Sequence, residues 1–295
     1  MRIGIVGAEN SHCAAVASLM NVHKLCGPAR VVAVWGETRA FAKKAAERAQ
    51  IPEIVKRPED MIGRIDGVMI DHRHAKYHVP AAIPFIEAGI PAFVDKPFSY
   101  TLREGWQLLQ LAKKKRVPIT SFSIVPLHES FTKDLKKQVR AARRLAAIHT
   151  VGPCDIKSKY GGIFFYGVHQ VASIITGFGP DIESVQLLKA GKGNPDATAL
   201  MYYRDGGPIV TMTCLASTRT PWRITAVGEK ANIDFTPGRA DSPYLVGTRK
   251  WLRMMRTGKQ PFTPAEILAP IAVLEALEKS VQAGGKRVKV ASLPC

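Results

Sequence analysis

The sequence predicts an α/β fold, with an N-terminal Rossmann-type doubly wound parallel sheet and a C-terminal α+β domain that has a largely antiparallel open sheet. Two observations lead to this class. Short apolar segments alternate with helix-like segments through residues 1–122, and from about Ala146 successive strand-like segments replace that alternation. We therefore place the domains at 1–122 and 123–295, and leave open that the C-terminal helix packs back on the first domain.

The first domain has five predicted strands, each a short apolar run that ends in Gly, Pro or polar residues: 2–6, 30–34, 67–70, 91–94 and 118–122. Helices are predicted between them at 12–22, 39–49, 76–88 and 102–115. Thr38 can cap the second helix, Gly89 ends the third, and lysines in the last turn of the fourth suit a helix C-terminus. Strict alternation of strand and helix predicts parallel pairing with right-handed crossovers.

The second half reads mainly as strands, predicted at 182–190, 196–204, 208–217 and 222–227. Arg204-Asp205-Gly206-Gly207 has the composition of a hairpin turn between the second and third of them. One helix is predicted after Gly167 and another at 264–283, before a short last strand at 287–290. These elements predict an antiparallel sheet with a few helices.

Composition indicates a globular, soluble and cytoplasmic protein. The chain has 295 residues, of which 46% are hydrophobic, enough for a packed core. It contains no apolar run long enough to span a bilayer, and Met1 leads into a strand-like segment rather than a signal peptide. Five cysteines without a Cys-x-x-Cys pair argue against a disulfide framework or a structural zinc site, so we expect reduced thiols.

The net charge of +18 at pH 7 suits a polyanionic partner and keeps a nucleic-acid binder open as a less favoured alternative. Solvated helix faces explain the basic clusters better, because no zinc finger, RNP-type aromatic motif or basic zipper accompanies them. The clusters are Lys113, Lys114, Lys115 and Arg116; Lys133, Lys136, Lys137, Arg140, Arg143 and Arg144; and Arg249, Lys250, Arg253 and Arg256.

The loop after the first strand has only part of a dinucleotide-binding fingerprint. In G-x-G-x-x-G the glycines after Gly7 would stand at positions 9 and 12, where this chain has other residues. Gly7 can form the tight turn, and Asn10 or Ser11 can cap the following helix and donate to phosphate oxygens. Both a dinucleotide site and a plain strand-to-helix turn fit this loop.

The end of the second strand, Gly36-Glu37-Thr38-Arg39, bears on the choice of nucleotide. Glu37 stands one residue later than the acid that commonly binds a ribose diol, while Arg39 can meet a 2′-phosphate. Gly36, Thr38 and Arg39 are therefore candidate cofactor-binding residues, and the cofactor is NAD or NADP.

Further candidates follow the third and fourth strands, at the edge where open α/β sheets hold ligands. Asp71 and His72 come after the third strand, and Asp95 and Lys96 after the fourth, with a proline behind the lysine. His72, His74 and His78 lack cysteine or regularly spaced carboxylate partners, so we expect no metal site. His72 is instead a candidate cofactor-lining residue, and His78 a structural or substrate-binding one.

Taken in chain order, these segments resemble the glucose-fructose oxidoreductase / inositol dehydrogenase (Gfo/Idh/MocA) family. Asp95-Lys96-Pro97 is similar to the family's Glu-Lys-Pro motif, with a shorter acid. Residues 161–169, Gly-Gly-Ile-Phe-Phe-Tyr-Gly-Val-His, resemble the glycine-rich turn that leads to the family's active-site histidine, and 264–290 resembles its C-terminal helix and strand. The resemblance spans nearly the whole chain.

The resemblance implies a homo-oligomer, dimer or tetramer, built on the open sheet, and reversible hydride transfer between NAD(P) and a carbinol carbon. It places Lys96 near the substrate hydroxyl and the nicotinamide, and His169 opposite in the second domain. Such chemistry needs a base for the hydroxyl proton, while the cofactor supplies the redox step. The predicted substrate is a small sugar- or cyclitol-like molecule, anionic or polyhydroxylated.

The sequence departs from the family at two positions. The family commonly has aspartates four residues before and three after the histidine, where this chain has Phe165 and Ala172. Either the protein is an atypical dehydrogenase that works with Lys96, His169 and Tyr166, which we favour, or it binds nucleotide or ligand without efficient turnover.

Overall fold

The structure is a computed structural model that describes residues 1–218, 220–238 and 242–293. The chain forms two compact units. Unit 1 contains Met1–Ser99, Arg103–Phe122 and Ser242–Ile267, and unit 2 contains Tyr100–Leu102, Ser123–Asp241 and Leu268–Cys295. Within the described residues, no helix has the length and apolar character that a membrane span requires.

Unit 1 is built on a six-stranded sheet in which every neighbouring pair is parallel. Its strands are β1 (Arg2–Val6), β2 (Arg30–Trp35), β3 (Glu53–Ile54), β4 (Gly67–Ile70), β5 (Ala92–Val94) and β6 (Ile119–Thr120). The spatial order β3-β2-β1-β4-β5-β6 is that of a doubly wound dinucleotide-binding sheet. The sequence predicted all of these strands except β3.

The helices of this alternation lie close to their predicted positions. They are α1 (Ser11–Asn21), α2 (Arg39–Ala49), α3 (His78–Glu87) and α4 (Leu102–Lys115). Asn10 caps α1 by accepting from the backbone N–H of His12, and the Thr38 hydroxyl caps α2 by accepting from that of Phe41. These caps satisfy N–H groups that have no partner within the helix, and so fix where each helix begins.

Unit 2 contains a seven-stranded mixed sheet in the order β12-β11-β7-β10-β9-β8-β13. Its strands are β7 (Leu145–Pro153), β8 (Ile182–Lys189), β9 (Ala197–Tyr203), β10 (Ile209–Leu215), β11 (Arg223–Gly228), β12 (Asn232–Phe235) and β13 (Val288–Lys289). Only β7 and β10 pair in parallel, so the sheet is largely antiparallel, as predicted. The predicted hairpin joins β9 to β10, with Asp205 and Gly206 at the positive φ angles that such tight turns favour.

The remaining helices are α5 (Lys136–Ala142), α6 (Ile163–Phe178), α7 (Pro243–Thr257) and α8 (Pro264–Gln282). Helix α6 begins before Gly167, after which the sequence placed it. Helix α7 belongs to unit 1, where Trp251 is 1% exposed and packs against Phe93 with ring centroids 5.6 Å apart. Cys13, Cys26, Cys154 and Cys214 are buried free thiols, and Cys295 lies outside the described residues.

Candidate active site

The candidate site of unit 1 is the carboxyl edge of its sheet, where backbone hydrogen bonds connect the first residues beyond the strands. The N–H of Gly7 donates to the carbonyl of Trp35, that of Asp71 to Val6, and that of Asp95 to Ile70. The loops that follow β1, β4 and β5 therefore leave the sheet side by side. The predicted residues Gly7, Asp71, His72, Asp95 and Lys96 lie along this edge.

Gly7 occupies a position that no other residue fits. Its φ is +106°, and a Cβ atom there would lie 2.6 Å from the carbonyl carbon of Asp71 and 2.7 Å from the nitrogen of His72. A side chain would therefore clash with rigid backbone as well as strain its own. This glycine lets the loop after β1 lie directly against the end of β4.

Asn10 and His12 connect the loop after β1 to two buried carboxylates. The Asn10 amide donates to Asp71 Oδ1 at 3.0 Å and to Asp95 Oδ2 at 2.9 Å, and His12 Nδ1 lies 3.0 Å from Asp95 Oδ2. Asp71 is fully buried, and Asp95 and Asn10 are nearly so. The Asn10 side chain, predicted to reach phosphate, is turned inward here and holds the two acids together.

The two carboxyl groups have opposite proton affinities. Burial, followed by the charge of Asp95, raises the pKa of Asp71 well above its ordinary range. Burial also acts to raise the pKa of Asp95, but the charge and hydrogen bond of His12 and the charge of Lys96 outweigh it and hold that pKa low. Asp95 is thus the anion of the pair, and Asp71 readily keeps a proton.

Lys96 lies beside this pair and is only 6% exposed. Burial lowers the pKa of its amine, while the charges of Asp95 and Asp71 oppose that shift. The Lys96–Pro97 peptide is cis, and the carbonyl of Pro97 lies 2.7 Å from Nδ1 of the fully buried His78. Nε2 of His78 lies 2.8 Å from the carbonyl of His72, so His78 ties the turn after β5 to the loop after β4. A substrate contact by His78 stays a prediction.

His72 lies within a group of aromatic rings. Its ring centroid is 5.8 Å from that of Trp35, 5.7 Å from Tyr77 and 6.3 Å from His78. Burial, followed by the charge of His78, lowers the pKa of His72 to about 3, so its ring is neutral at pH 7. Its buried Nδ1 has no hydrogen-bond partner among the described residues.

The end of β2 approaches the loop after β1 through Glu37. One carboxylate oxygen, Oε2, accepts from the backbone N–H groups of Ala8 and Glu9, both at 2.9 Å. The other, Oε1, is buried and has no partner within the part of the chain that the structure describes. Gly36 lets α2 come close, because a Cβ there would lie 2.9 Å from the nitrogen of Ala42.

The other predicted cofactor residues stand at the starts of two helices. Ser11 is the first residue of α1 and is exposed, and Thr38 caps α2, whose first residue, Arg39, is also exposed. Helix N-termini at this edge carry the N–H groups and the positive dipole end that favour a phosphate group. Together with the unpaired oxygen of Glu37, which can accept from a ribose hydroxyl, they fit a dinucleotide.

Unit 2 presents His169 from the second turn of α6. Its Nδ1 lies 2.8 Å from the hydroxyl of Ser123, and both residues are 5% exposed. The next residue, Gln170, accepts from the Thr150 hydroxyl at 2.9 Å and donates to the carbonyl of Thr213 at 3.1 Å. Gln170 thereby fixes α6 on β7 and β10, and this fixes the position of His169.

The surroundings of His169 are aromatic. Tyr166, the predicted third catalytic residue, is 40% exposed, and its ring centroid lies 5.8 Å from that of His169. Trp222 lies edge-on to the His169 ring at 5.4 Å. Phe165 is half-buried and Ala172 is 8% exposed, at the two positions where the resemblance led us to expect carboxylates.

Several residues of these groups were missing from the predicted set, among them His12, Glu37, Ser123, Gln170 and Trp222. His12 carried a signal, since it stands where the fingerprint has its last glycine. Ser123 comes shortly after β6 in the chain, so its sequence position carried a signal as well. Gln170 and Trp222 had no signal, because their contacts depend on how β7, β10 and β11 pair.

Three of these residues lie close enough together to hold a cation. One ligand atom each from His12, Asp71 and Asp95 lies within 4.8 Å of the others. Asn10 and His12 already engage the carboxylates, which lowers their availability to a metal. The expectation of no metal site stays a prediction.

The sheet order and the glycine turn after β1 define a dinucleotide-binding Rossmann domain. Residues 1–122 match the family described as "Oxidoreductase family, NAD-binding Rossmann fold". This match covers the N-terminal part of the chain and agrees with the resemblance to the Gfo/Idh/MocA oxidoreductases. The predicted resemblance and fold class are confirmed, and the predicted cofactor class agrees with the NAD-binding description of the matching family.

Similarity to individual proteins is distant. The uncharacterized oxidoreductase YhhX of Escherichia coli is 30% identical over 162 residues, 50% of this chain and 47% of that protein. Inositol 2-dehydrogenase of Corynebacterium glutamicum is 24% identical over 48% of this chain and 41% of its own. The chain thus spans less than half the length of these curated relatives.

One solved structure shows the fold over the whole length. The scyllo-inositol dehydrogenase of Lactobacillus casei, with bound NAD(H) and scyllo-inositol, has a TM-score of 0.81 and 16% identity, and 99% of each chain is covered.

Proposed function

We propose that this protein is an NAD-dependent dehydrogenase that transfers a hydride reversibly between the nicotinamide and a carbinol carbon of a small sugar- or cyclitol-like substrate. The observation that carries the proposal is the Lys96 amine, buried beside paired carboxylates at the carboxyl edge of a Rossmann sheet. The match of residues 1–122 to an oxidoreductase family and the similarity to inositol 2-dehydrogenase support the reaction and the substrate class.

Oxidation of a carbinol breaks a C–H bond and an O–H bond. Bound NAD⁺ would supply the acceptor for the hydride, which carries the C–H electron pair. We assign the hydroxyl proton to Lys96, which as a neutral amine accepts it and as an ammonium returns it when the ketone is reduced. Burial lowers the pKa of Lys96 and so raises the fraction of neutral amine near pH 7.

We propose that the residues around Lys96 stabilise its charged form and hold it in place. Asp95, held as an anion by His12, stabilises the ammonium that forms during oxidation. Asp71 and Asn10 complete this buried group. In unit 2 we assign His169 and the Tyr166 hydroxyl to hydrogen bonds with substrate oxygens, with Ser123 fixing the His169 ring.

We further propose NAD rather than NADP as the cofactor, and Glu37 carries this choice. Its unpaired Oε1 suits a ribose hydroxyl donor, whereas a 2′-phosphate at the same place would meet a like charge. We assign Gly7, Ser11, Gly36, Thr38 and His72 to the walls of the nucleotide site. Arg39, exposed at the start of α2, is the residue that would favour NADP instead.

The test combines nucleotide binding with turnover. We expect calorimetric titration to show tighter binding of NADH than of NADPH. In Glu37→Gln the difference in affinity between the two nucleotides should be smaller. We expect absorbance of NADH to rise with NAD⁺ and a member of a sugar and cyclitol panel, and Lys96→Met to slow this by about 10²- to 10⁴-fold. Absence of binding by either nucleotide, or full turnover by Lys96→Met, would contradict the proposal.

The absence of carboxylates at Phe165 and Ala172 keeps a second candidate, a protein that binds nucleotide and ligand without efficient turnover. Nucleotide binding without NADH formation across the panel would favour it.

A homo-oligomer built on the open face of the unit 2 sheet, where Ile209 and Val227 are half-exposed, stays a prediction that light scattering checks. Cytoplasmic location stays a prediction as well.

A further inference from the structure

Unit 2 carries a dense basic cluster along α5 and in the two residues that join this helix to β7. We define the cationic junction as the five exposed cations of the stretch 136–144: Lys136, Lys137, Arg140, Arg143 and Arg144. This stretch contains no acidic residue, and none of the five forms an ion pair within the described residues. Cations three or four residues apart on a helix repel each other, so the cluster lowers stability.

Arg143 has an unusual backbone conformation. Its φ of 63° and ψ of −129° lie outside the regions that a residue with a Cβ atom ordinarily adopts. Gln50, at the end of α2, has instead the common left-handed conformation, with φ 52° and ψ 45°. Nearly the same angles as those of Arg143 recur at Gly162, φ 58° and ψ −129°, where the residue is a glycine. Arg143 is therefore strained at a place where glycine would not be.

The neighbouring turn between β11 and β12 holds this conformation. The carbonyls of Ala142 and Arg144 accept from the N–H groups of Lys230 at 3.1 Å and Glu229 at 2.9 Å. Gly228 permits the approach, because a Cβ there would lie 2.6 Å from the Cβ of Ala142 and 2.8 Å from its carbonyl oxygen. Glu229 also pairs with Lys230 at 3.8 Å, so this acid is balanced within the turn. The sheet thus fixes the backbone of the cationic junction.

A solvated helix face, the interpretation that the sequence favoured for every basic cluster, does not account for this arrangement. Exposed charges need no particular backbone, and a glycine or a neutral residue at position 143 would avoid strain or repulsion. Strained residues persist where the surrounding structure holds them and where function uses them. The cationic junction therefore differs from the other two clusters.

We propose that the cationic junction is a docking surface for the phosphate backbone of duplex nucleic acid. This interaction is additional to the proposed dehydrogenase activity and independent of it. A duplex carries about one negative charge per 1.7 Å of helix axis, which complements five cations on a short stretch of chain. Phosphate contacts do not read bases, so the binding is without sequence preference.

The composition of the surface favours a duplex over other polyanions. Residues 132–148 include no aromatic side chain and no exposed large hydrophobic one. Single strands are commonly bound by stacking of bases on aromatic rings, and protein partners and membranes by apolar anchors. Charge alone remains here, and it suits the partner whose binding depends most on phosphate contacts.

Fluorescence anisotropy with a labelled mixed-sequence DNA duplex of about 20 base pairs tests the inference on the full chain. We expect binding at roughly 0.05 M sodium chloride that weakens about 10²- to 10³-fold at roughly 0.2 M, as counterion release from about five phosphates requires. A single strand of the same length should bind less tightly. Polyglutamate and phosphatidylserine vesicles, at equal charge concentration, should compete less well than unlabelled duplex.

Arg143→Gly should change stability and binding in opposite directions. Glycine relieves the strain, so we expect the melting temperature to rise by about 2–4 °C. Loss of one phosphate contact should weaken duplex binding about three- to tenfold in low salt and reduce the salt slope by about one. Arg144→Gln, which removes a charge beside the strained residue, should weaken binding to a similar extent without raising the melting temperature.

Arg116→Gly is the matched control. Arg116 is exposed in another basic cluster, belongs to unit 1, and also has a positive φ, 57°. This variant loses the same charge and gains a glycine at a positive φ, so it should bind the duplex like the wild type.

Equal weakening in Arg143→Gly and Arg116→Gly would show that net charge attracts the duplex, and would overturn the inference. Tighter binding of the single strand, polyglutamate or vesicles would show that the partner is wrong. A melting temperature of Arg143→Gly at or below that of the wild type would contradict the strain on which the inference depends. NADH binding, measured in the same variants, should be unchanged, and its absence in the wild type would contradict only the proposed function.

Discussion

At the residue scale, the candidate site depends on one buried amide. Asn10 donates to both Asp71 and Asp95, and His12 Nδ1 lies 3.0 Å from Asp95 Oδ2. Two carboxylates this close do not both ionise easily without compensation. Because His12 and Lys96 compensate Asp95 more than Asp71, the network keeps one anion beside the Lys96 amine.

His72 gives a residue-scale prediction about acid stability. Its folded pKa of about 3 lies below its ordinary value of 6.5, so the native state binds its proton less readily than the unfolded chain. This contribution to stability is present above pH 6.5 and is lost as the pH falls from 6.5 towards 3, at most about 5 kcal/mol. His78, whose pKa burial also lowers, acts in the same direction.

We therefore expect the free energy of unfolding in urea to fall between pH 7 and pH 4.5, and to fall less steeply in His72→Phe, which keeps the ring contacts but cannot titrate. The exposed His23→Gln is the control and should leave the slope as in the wild type. A wild-type slope in His72→Phe would show that His72 is not the source.

At the element scale, the sequence failed to predict strands β7 and β12. These segments form strands because they pair with neighbouring strands, and their local residue patterns do not indicate it. Strand β7 is central, with β10 on one side and β11 on the other, although its first residues continue an alanine- and arginine-rich segment. Strand β12 has four residues, two of them the weak strand formers Asn232 and Asp234. Cross-strand partners decided both, and such partners are not visible in a local window.

Helix α6 provides an element-scale prediction through Gln170, which is 2% exposed. Gln170→Leu leaves the Thr150 hydroxyl and the Thr213 carbonyl without this partner, and we expect a loss of about 1–3 kcal/mol in unfolding free energy. Chemical denaturation measures it, with the exposed Gln107→Leu on α4 as a control that changes stability by less than about 0.5 kcal/mol. Equal losses of unfolding free energy in the two variants would show that the hydrogen bonds of Gln170 contribute nothing to stability.

At the scale of the whole molecule, the net charge of +18 is the unusual property. Helix α7 shows it locally, since Arg249, Lys250, Arg253 and Arg256 are all exposed and the helix has no acidic residue. Like charges three or four residues apart on a helix repel each other. The same clusters keep nucleic-acid binding as a measurable, less favoured alternative.

Salt should weaken both the repulsion between the positive charges of the chain and any binding of nucleic acid. Because the Debye length is about 10 Å at 0.1 M salt, we expect the melting temperature to rise between roughly 0.01 M and 0.15 M sodium chloride as self-repulsion is screened. Any mobility shift with DNA or RNA should weaken steeply over the same range. A complex that survives 0.15 M salt with sequence preference would contradict the small-molecule interpretation, and a constant melting temperature would show that repulsion is unimportant.

The sequence by itself determined the strand–helix alternation, the parallel sheet of unit 1 and the placement of Asp71, Asp95 and Lys96 at its carboxyl edge. These follow from local periodicity and from the rule that parallel strands end at one edge. Only the tertiary structure decided that Asn10 reaches Asp95, 85 positions along the chain from Asn10, and joins it to Asp71. It also decided that Glu37 binds the loop after β1 and that Trp222 lies on Gly152. Such contacts depend on strand register and loop paths, which are set by the packing of the whole chain and not by any segment of it.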